Sequence, residues 1–283
     1  MIEQFQHIAS NSFILWFDNY LLKKGQAYSN KTGKFYHYSD DRVDSVYRTF
    51  GSPYKQWVTD SSIAGATIPS GVWINNTFRP RGNSLILDFD NGRALTTGVA
   101  ASANITGSFA VKDFNVYFTN ETEDNLIIDK KFNSNPRYYS AAENYIEPYD
   151  YAVPAIFVSS ESMQNVPFAF GGEDTTKIIM KAVIFAENSY QLDGVLSIFA
   201  DSINEVVTNI PFTGHPQTEF GDIKNGYYSY ENLKNQYRDT RQIFFLEDVV
   251  ASKLNDKGRR TVANDLHVGF LDFELSQQRY PRA

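Results

Sequence analysis

The sequence predicts a β-rich α+β chain: an N-terminal helix on an antiparallel β-barrel or sandwich, followed by a second α+β unit. Three observations predict it. Aromatic residues make up 15% of 283 positions, with 22 Phe and 18 Tyr, which favours strands and packed interfaces. Helical periodicity is confined to one stretch near the N-terminus and one near residue 190. Short apolar or alternating runs, punctuated by Gly, Pro and Asn, fill most of the remainder. A chain of 283 residues suits two domains better than one. The boundaries expected are residues 1–125 for the helix and barrel, 126–153 for a tyrosine-rich connection, and 154–283 for the second domain.

The first element is a helix over residues 5–22, where Phe5, Ile8, Phe13, Trp16 and Tyr20 recur near helical period, with Gly25 as its stop. It is expected to cover a sheet. Ser84–Asp90 and Arg93–Thr97 flank Asn91-Gly92, a dipeptide that accepts the two positive φ angles of a type I′ turn, so a hairpin is predicted. Phe109 and Val111, then Phe114, Val116 and Phe118, predict one long strand whose phase changes at a bulge near Asp113. Pro69-Ser70-Gly71 and Pro80-Arg81-Gly82 read as loops. The connection carries Tyr138, Tyr139, Tyr145, Tyr149 and Tyr151 between an acidic start, Glu121–Asp124, and the breakers Pro148 and Pro154.

In the second half, Ala155–Ser159 predicts a short strand and Gly171-Gly172 a turn. Ile178–Ala186 is apolar almost throughout, as a central strand covered on both faces would be. Asn188, with Gln191 three residues on, resembles a capping box. The helix it opens is expected to run to Thr208, with Leu192, Val195, Leu196, Phe199, Ile203 and Val206 on one face. A polar connection follows Pro211 and leads to Tyr227, Tyr228 and Tyr230. Ile243–Leu246 and Val249-Val250 are apolar again, residues 254–264 form a charged loop, and Leu271, Phe273 and Leu275 alternate with polar residues in a closing strand.

Composition narrows the function. The net charge is −7, whereas tight wrapping of nucleic acid needs clustered Lys and Arg. The absence of cysteine removes disulfides and thiolate metal sites. No run approaches 18 uninterrupted apolar residues, so no membrane partner is expected. The opening residues lack a basic n-region, and Asp18-Asn19 interrupts their apolar run, so no signal peptide is expected.

No set of residues carries a recognisable chemistry. His7, His37, His215 and His267 fit no metal-ligand spacing, and a satisfied surface or core imidazole is expected for each. A nucleophile elbow and a Walker loop are both missing. Asp88-Phe89-Asp90-Asn91-Gly92 resembles the start of a calcium loop, but its twelfth position is Val99, where a bidentate Glu is required. Asp40-Asp41 and Glu173-Asp174 are paired acids in turn-like contexts. Trp57, Trp73 and the tyrosines suit either a sugar-stacking platform or core and subunit contacts, and the second reading is preferred. The expectation is a non-enzymatic structural protein with no catalytic, cofactor-binding or metal-binding residues and no cofactor.

The second half resembles the tail-terminator and neck proteins of tailed bacteriophages. The resemblance lies in the order strand (Ala155–Ser159), glycine turn (Phe170–Asp174), long strand (Ile178–Ala186), helix (Tyr190–Ser202) and late strand (Val268–Leu275). Asp88–Arg93 and Phe114–Phe118 look like segments of the companion barrel of such proteins. The resemblance implies a virion structural protein, made in the bacterial host cytoplasm and assembled into a homo-oligomeric ring at the head–tail junction. A hexamer is usual for terminators. It implies contacts with other neck, tail-tube, sheath or connector proteins, and a channel past which DNA slides without specific binding. This chain is about twice the length of the simplest terminators, which leaves its N-terminal unit without an assigned role. The alternatives are a carbohydrate- or receptor-binding virion module and a hydrolase with dispersed carboxylates.

Overall fold

The computed structural model describes residues 3–128, 151–169, 171–238, 242–254 and 266–281. The tyrosines expected at 138, 139, 145 and 149 lie outside these residues, as does most of the charged loop at 254–264.

The chain opens with helix α1 (Phe5–Gly25), which ends where Gln26 turns into the left-handed region at φ 48°. Strands β1 (Tyr28–Tyr38), β2 (Arg48–Gly51), β3 (Gly71–Ile74), β4 (Thr77–Pro80), β5 (Leu85–Asp88), β6 (Arg93–Thr96) and β7 (Ile105–Lys112) form one antiparallel sheet in the order β4-β3-β7-β1-β2-β6-β5. An isolated bridge between Gly82 and Leu85 brings its two edge strands together at one end, so the sheet is nearly closed. The expected barrel is therefore present.

Two details differ from the sequence reading. The hairpin pairs Asp88 with Arg93, so its loop is the four residues Phe89–Gly92 and not a two-residue turn. Only Gly92 has positive φ there, at 62°. Asp88 accounts for the difference: its carboxylate accepts from the Asn91 backbone N–H and side chain, and so folds the loop around itself. The second difference lies at Asp113. Phe109–Phe118 is not one bulged strand. β7 ends at Lys112, and β8 (Asn115–Phe118) joins the second sheet, pairing in parallel with residues 155–158. The phase change near Asp113 marks a crossing between sheets.

The second sheet runs β11-β12-β13-β10-β9-β8. Its strands are β8, β9 (Ala155–Ala169), β10 (Glu173–Ala186), β11 (Val206–Thr208), β12 (Ile243–Lys253) and β13 (His267–Arg279). β10 is central, as expected, but only Ala182–Ala186 is buried on both faces; its first part alternates. Short helix α2 (Glu123–Ile128) follows β8. Helix α3 (Ser189–Ala200) packs on β10, β12 and β13. Its Asn188 side chain accepts from the Gln191 N–H as expected, while the return bond from Gln191 goes to Glu187 N–H, one residue early.

α3 stops at Ala200 and not at Thr208. The Ser202 hydroxyl bonds the Phe199 carbonyl, Asn204 takes φ 68°, and Val206–Thr208 becomes strand β11 beside β12. Ile203 and Val206 match helical spacing but lie outside the helix. Helix α4 (Tyr230–Gln236), capped by Ser229, begins at the last of the tyrosines to which the polar connection leads.

α1 is central, not a covering helix. Its buried positions include Phe13, Leu15, Trp16, Phe17, Asn19, Leu21 and Leu22, which are spread around its circumference. Phe17 stacks on Phe199 of α3 with ring centroids 4.1 Å apart, and Phe13 meets Phe273 of β13 edge-on at 5.1 Å. Leu22 packs with Val58, Ile63 and Ala110 on the barrel side. The polar residues on this helix are also anchors. Asn19 donates to Asp60 at 2.7 Å, and Asn11 donates to the Ile210 carbonyl at 3.0 Å. One hydrophobic cluster thus contains Trp57 and Phe109 of the first half together with Phe199 and Phe244 of the second.

Candidate functional site

Buried charge concentrates at the hairpin. Arg93 donates through Nε to Asp88 at 2.7 Å and through Nη1 to Asp40 at 2.5 Å and to the Tyr38 hydroxyl at 3.2 Å. All three charged side chains are under 5% exposed. Burial raises the Tyr38 pKa, with Arg93 opposing, so the phenol remains protonated while its oxygen accepts from Arg93. The arrangement spends every charge on a neighbour, which is what a structural hub does. Asp88 therefore serves the hairpin and Arg93, and Val99 is a buried core residue. Among the described residues no group of three or more His, Asp or Glu is placed to hold a metal ion.

The other acids do not face one another. Asp40 is buried in this network while its neighbour Asp41 is exposed. Asp174 is buried, while Glu173, next along the strand, lines a surface cleft. Burial first, and then the Asp88 charge, push the Asp90 carboxyl up to about 6. Asp90 keeps contact with solvent, which tempers the first of those causes.

The histidines have local partners. His7 Nδ1 accepts from the Gln4 N–H at the start of α1. His37 lies 3.0 Å from the Thr49 carbonyl, where a protonated Nδ1 donates. His215 Nδ1 is 2.8 Å from Asn11 Oδ1, and burial, followed by the Lys224 charge, lowers its pKa. A lowered pKa keeps the ring neutral at pH 7, with Nδ1–H donating to Asn11. His267 opens β13, as expected.

The two candidate platform tryptophans separate. Trp57 is fully buried and stacks on Phe109 at 4.6 Å, so it belongs to the core. Trp73 is half-exposed and meets Phe78 edge-on at 5.3 Å, forming a small aromatic patch on β3 and β4.

Two clefts flank the first turns of α1. One, of about 680 Å³, is mostly apolar and is lined by Ile14, Phe118 and Phe212, with His7, Asn11 and His215. The other, of about 930 Å³, is lined by residues that include Phe5, Phe245, Tyr280, Glu173 and Arg279, with Asn209, Gln242, Gln277 and Gln278. No sequence motif signalled either, because the lining of each comes from segments far apart in the chain.

The sheet also carries free edges among the described residues. β8 pairs with β9 only as far as Val158, so from Ser159 onward β9 has β10 as its sole neighbour. Every side chain from Glu161 to Phe168 is exposed, and Met163, Val166 and Phe168 among them are apolar. At the opposite side β11 covers only Ile243–Phe245 of β12, leaving Glu247–Lys253 paired to β13 alone, with Val250 half-exposed. No helix among the described residues is long and apolar enough to cross a membrane. No family model and no curated protein matches this sequence.

Proposed function

We propose that this chain is a non-catalytic structural subunit of a tailed-phage virion. It forms a ring, of six copies by analogy with terminators, at the neck or tail end, joining head and tail around a DNA channel. The observation that carries the reading is the pair of edges on the second sheet that no other strand among the described residues covers. A strand edge with open N–H and C=O groups is a template for pairing with another chain. Here the two edges lie on opposite sides of one sheet, the geometry of a heterologous contact, which closes into a ring when the rotation fits. β9 runs antiparallel to β10, β10 to β13, and β13 to β12, so β9 of one copy set beside β12 of the next makes an antiparallel pair. Exposed Met163, Val166 and Phe168 supply apolar area to such a contact.

The order β9, Gly171-Gly172, β10, α3, β13 also supports it, being the element order on which the resemblance to terminators rests. The net charge of −7 suits a surface past which DNA slides without sticking. The ring's neighbours on this reading are tube, sheath or connector proteins. Gold-labelled antibody against the chain, applied to particles of the phage that encodes it, is expected to mark the head–tail junction or the tail end. Label on fibres or a tail tip would favour receptor binding, and unlabelled particles would sink the virion reading.

A further inference from the structure

We propose that the outer face of the barrel, over strands β4, β3, β7 and β1, binds single-stranded nucleic acid weakly and without sequence preference. The site follows from strand register. Phe78 of β4 pairs with Trp73 of β3, Trp73 with Thr106 of β7, and Thr106 with Lys34 of β1. Direct partners on antiparallel strands project from the same face, so these four side chains form one row across the sheet. Ile105 and Phe35, the next residues along, point the other way and are almost wholly buried in the core. Tyr36 joins the row on β1, where the Lys34 ammonium lies 5.7 Å from the centre of its ring. Trp73 and Phe78 are half-exposed and brace each other edge-on, and Lys34 is exposed. Aromatic rings thus stand on one side, a cation and a phenol on the other, and the short Thr106 side chain lies between them.

The charge of this face is a second, independent sign. The four strands carry no Asp or Glu, in a chain that has 33 of them. The flanking segments continue the pattern, with no acid from Ser61 to Leu87 or from Asn91 to Lys112. Residues 1–118 hold 11 Lys and Arg against 9 Asp and Glu, so the acidic excess of the chain lies in its other half. Lys34 has no ion pair among the described residues. A surface cleared of carboxylates matters little to a neutral ligand and a great deal to an anionic one.

Among anionic ligands, a single strand fits best. Its unpaired bases offer π-faces to Trp73, Phe78 and Tyr36, and Lys34 meets a phosphate as a point charge. A sulfated or sialylated glycan is better held by the fork of an Arg. Arg79, the Arg of these strands, pairs with buried Val72 on the opposite face and donates to the Thr97 carbonyl. In a duplex the bases are stacked on one another and out of reach. With one cation in the row the affinity is low, a dissociation constant on the order of 10⁻⁵ M at low salt. The site is independent of the ring reading and can stand if that reading fails.

The test titrates the full chain into a fluorescein-labelled single-stranded DNA of mixed sequence, about 12 nucleotides long, and reads anisotropy at low salt. Saturable binding is expected, and much weaker binding of the same sequence as a duplex. Tryptophan emission should be quenched on binding, and the quench belongs to Trp73, because Trp16 and Trp57 are buried. Trp73→Ala is expected to weaken binding about tenfold or more. Trp73→Phe, which keeps a ring, should retain most of the affinity, which separates lost stacking from a folding defect. Lys34→Gln should weaken binding and flatten the plot of log affinity against log salt, whose slope for one phosphate contact is about −0.7. No saturable binding, equal binding of duplex and single strand, or binding that survives both Trp73→Ala and Lys34→Gln would overturn the assignment. A chain that instead takes up sulfated or neutral oligosaccharides, added as competitors, and releases the DNA would give the face to a sugar and would overturn it as well.

Discussion

Replacing Arg93 with Met is expected to destabilise the protein by about 3–5 kcal/mol, read as a lower midpoint in urea unfolding. Arg93 holds Asp88 and Asp40, and both carboxylates are buried almost completely. Methionine fills much of the same space, so the loss would come from two uncompensated negative charges and not from a cavity. Adding Asp40→Asn and Asp88→Asn to the same chain should recover part of the loss, because neutral side chains need no cation. The hairpin would feel the second change too, since Asp88 also organises its loop through Asn91. Recovery short of the native value is therefore expected. If Arg93→Met left the midpoint unchanged, the hub would be a surface feature.

Phe199→Ala is expected to cost a further kind of stability, about 3–5 kcal/mol, through lost burial and the cavity it leaves. Phe199 is fully buried, stacks on Phe17, and meets Trp16 and Phe273 edge-on. Its neighbours belong to α1 and β13, so the cavity would open where the two halves of the chain meet. The consequence is a statement about cooperativity. Trp57 reports on the barrel and Trp16 on the junction of α1 with α3. Both fluorescence signals should move together, in the parent chain and in the variant, in one transition. A barrel transition separated from that of the second sheet would show that the shared core does not couple them.

That coupling was hard to read from the sequence. The spacing of Phe5, Ile8, Phe13, Trp16 and Tyr20 reveals a helix, and the helix is there. Phe17, Leu21 and Leu22 on its other sides are what make it central. A helix buried all round loses the amphipathic contrast that tells which neighbour it has. The break at Asp113 was legible as a change of phase, but phase alone does not distinguish a bulge from a strand that leaves its sheet. The strands of the second half were clear because Ile178–Ala186 and Leu271–Leu275 are long and regular. The end of α3 was missed because Ile203 and Val206 continue the helical spacing by coincidence, whereas Ser202 and Asn204 stop the helix through local hydrogen bonding and a left-handed turn. The cleft of about 930 Å³ left no signal, since its lining segments meet only through sheet pairing. Of the two tryptophans singled out, Trp57 is core, while Trp73 lies at the surface, where subunit contacts would also place it.

The central claim is that copies of this chain join through the free edges of the second sheet. Native mass spectrometry of the purified full chain, beside a Val166→Asp, Phe168→Asp variant, tests it most directly. Both positions are exposed, so the variant should fold. The account predicts a closed oligomer, six copies on the ring reading, for the parent chain and a monomer for the variant. A parent chain that stays monomeric at every concentration, or an oligomer untouched by the two aspartates, would contradict it.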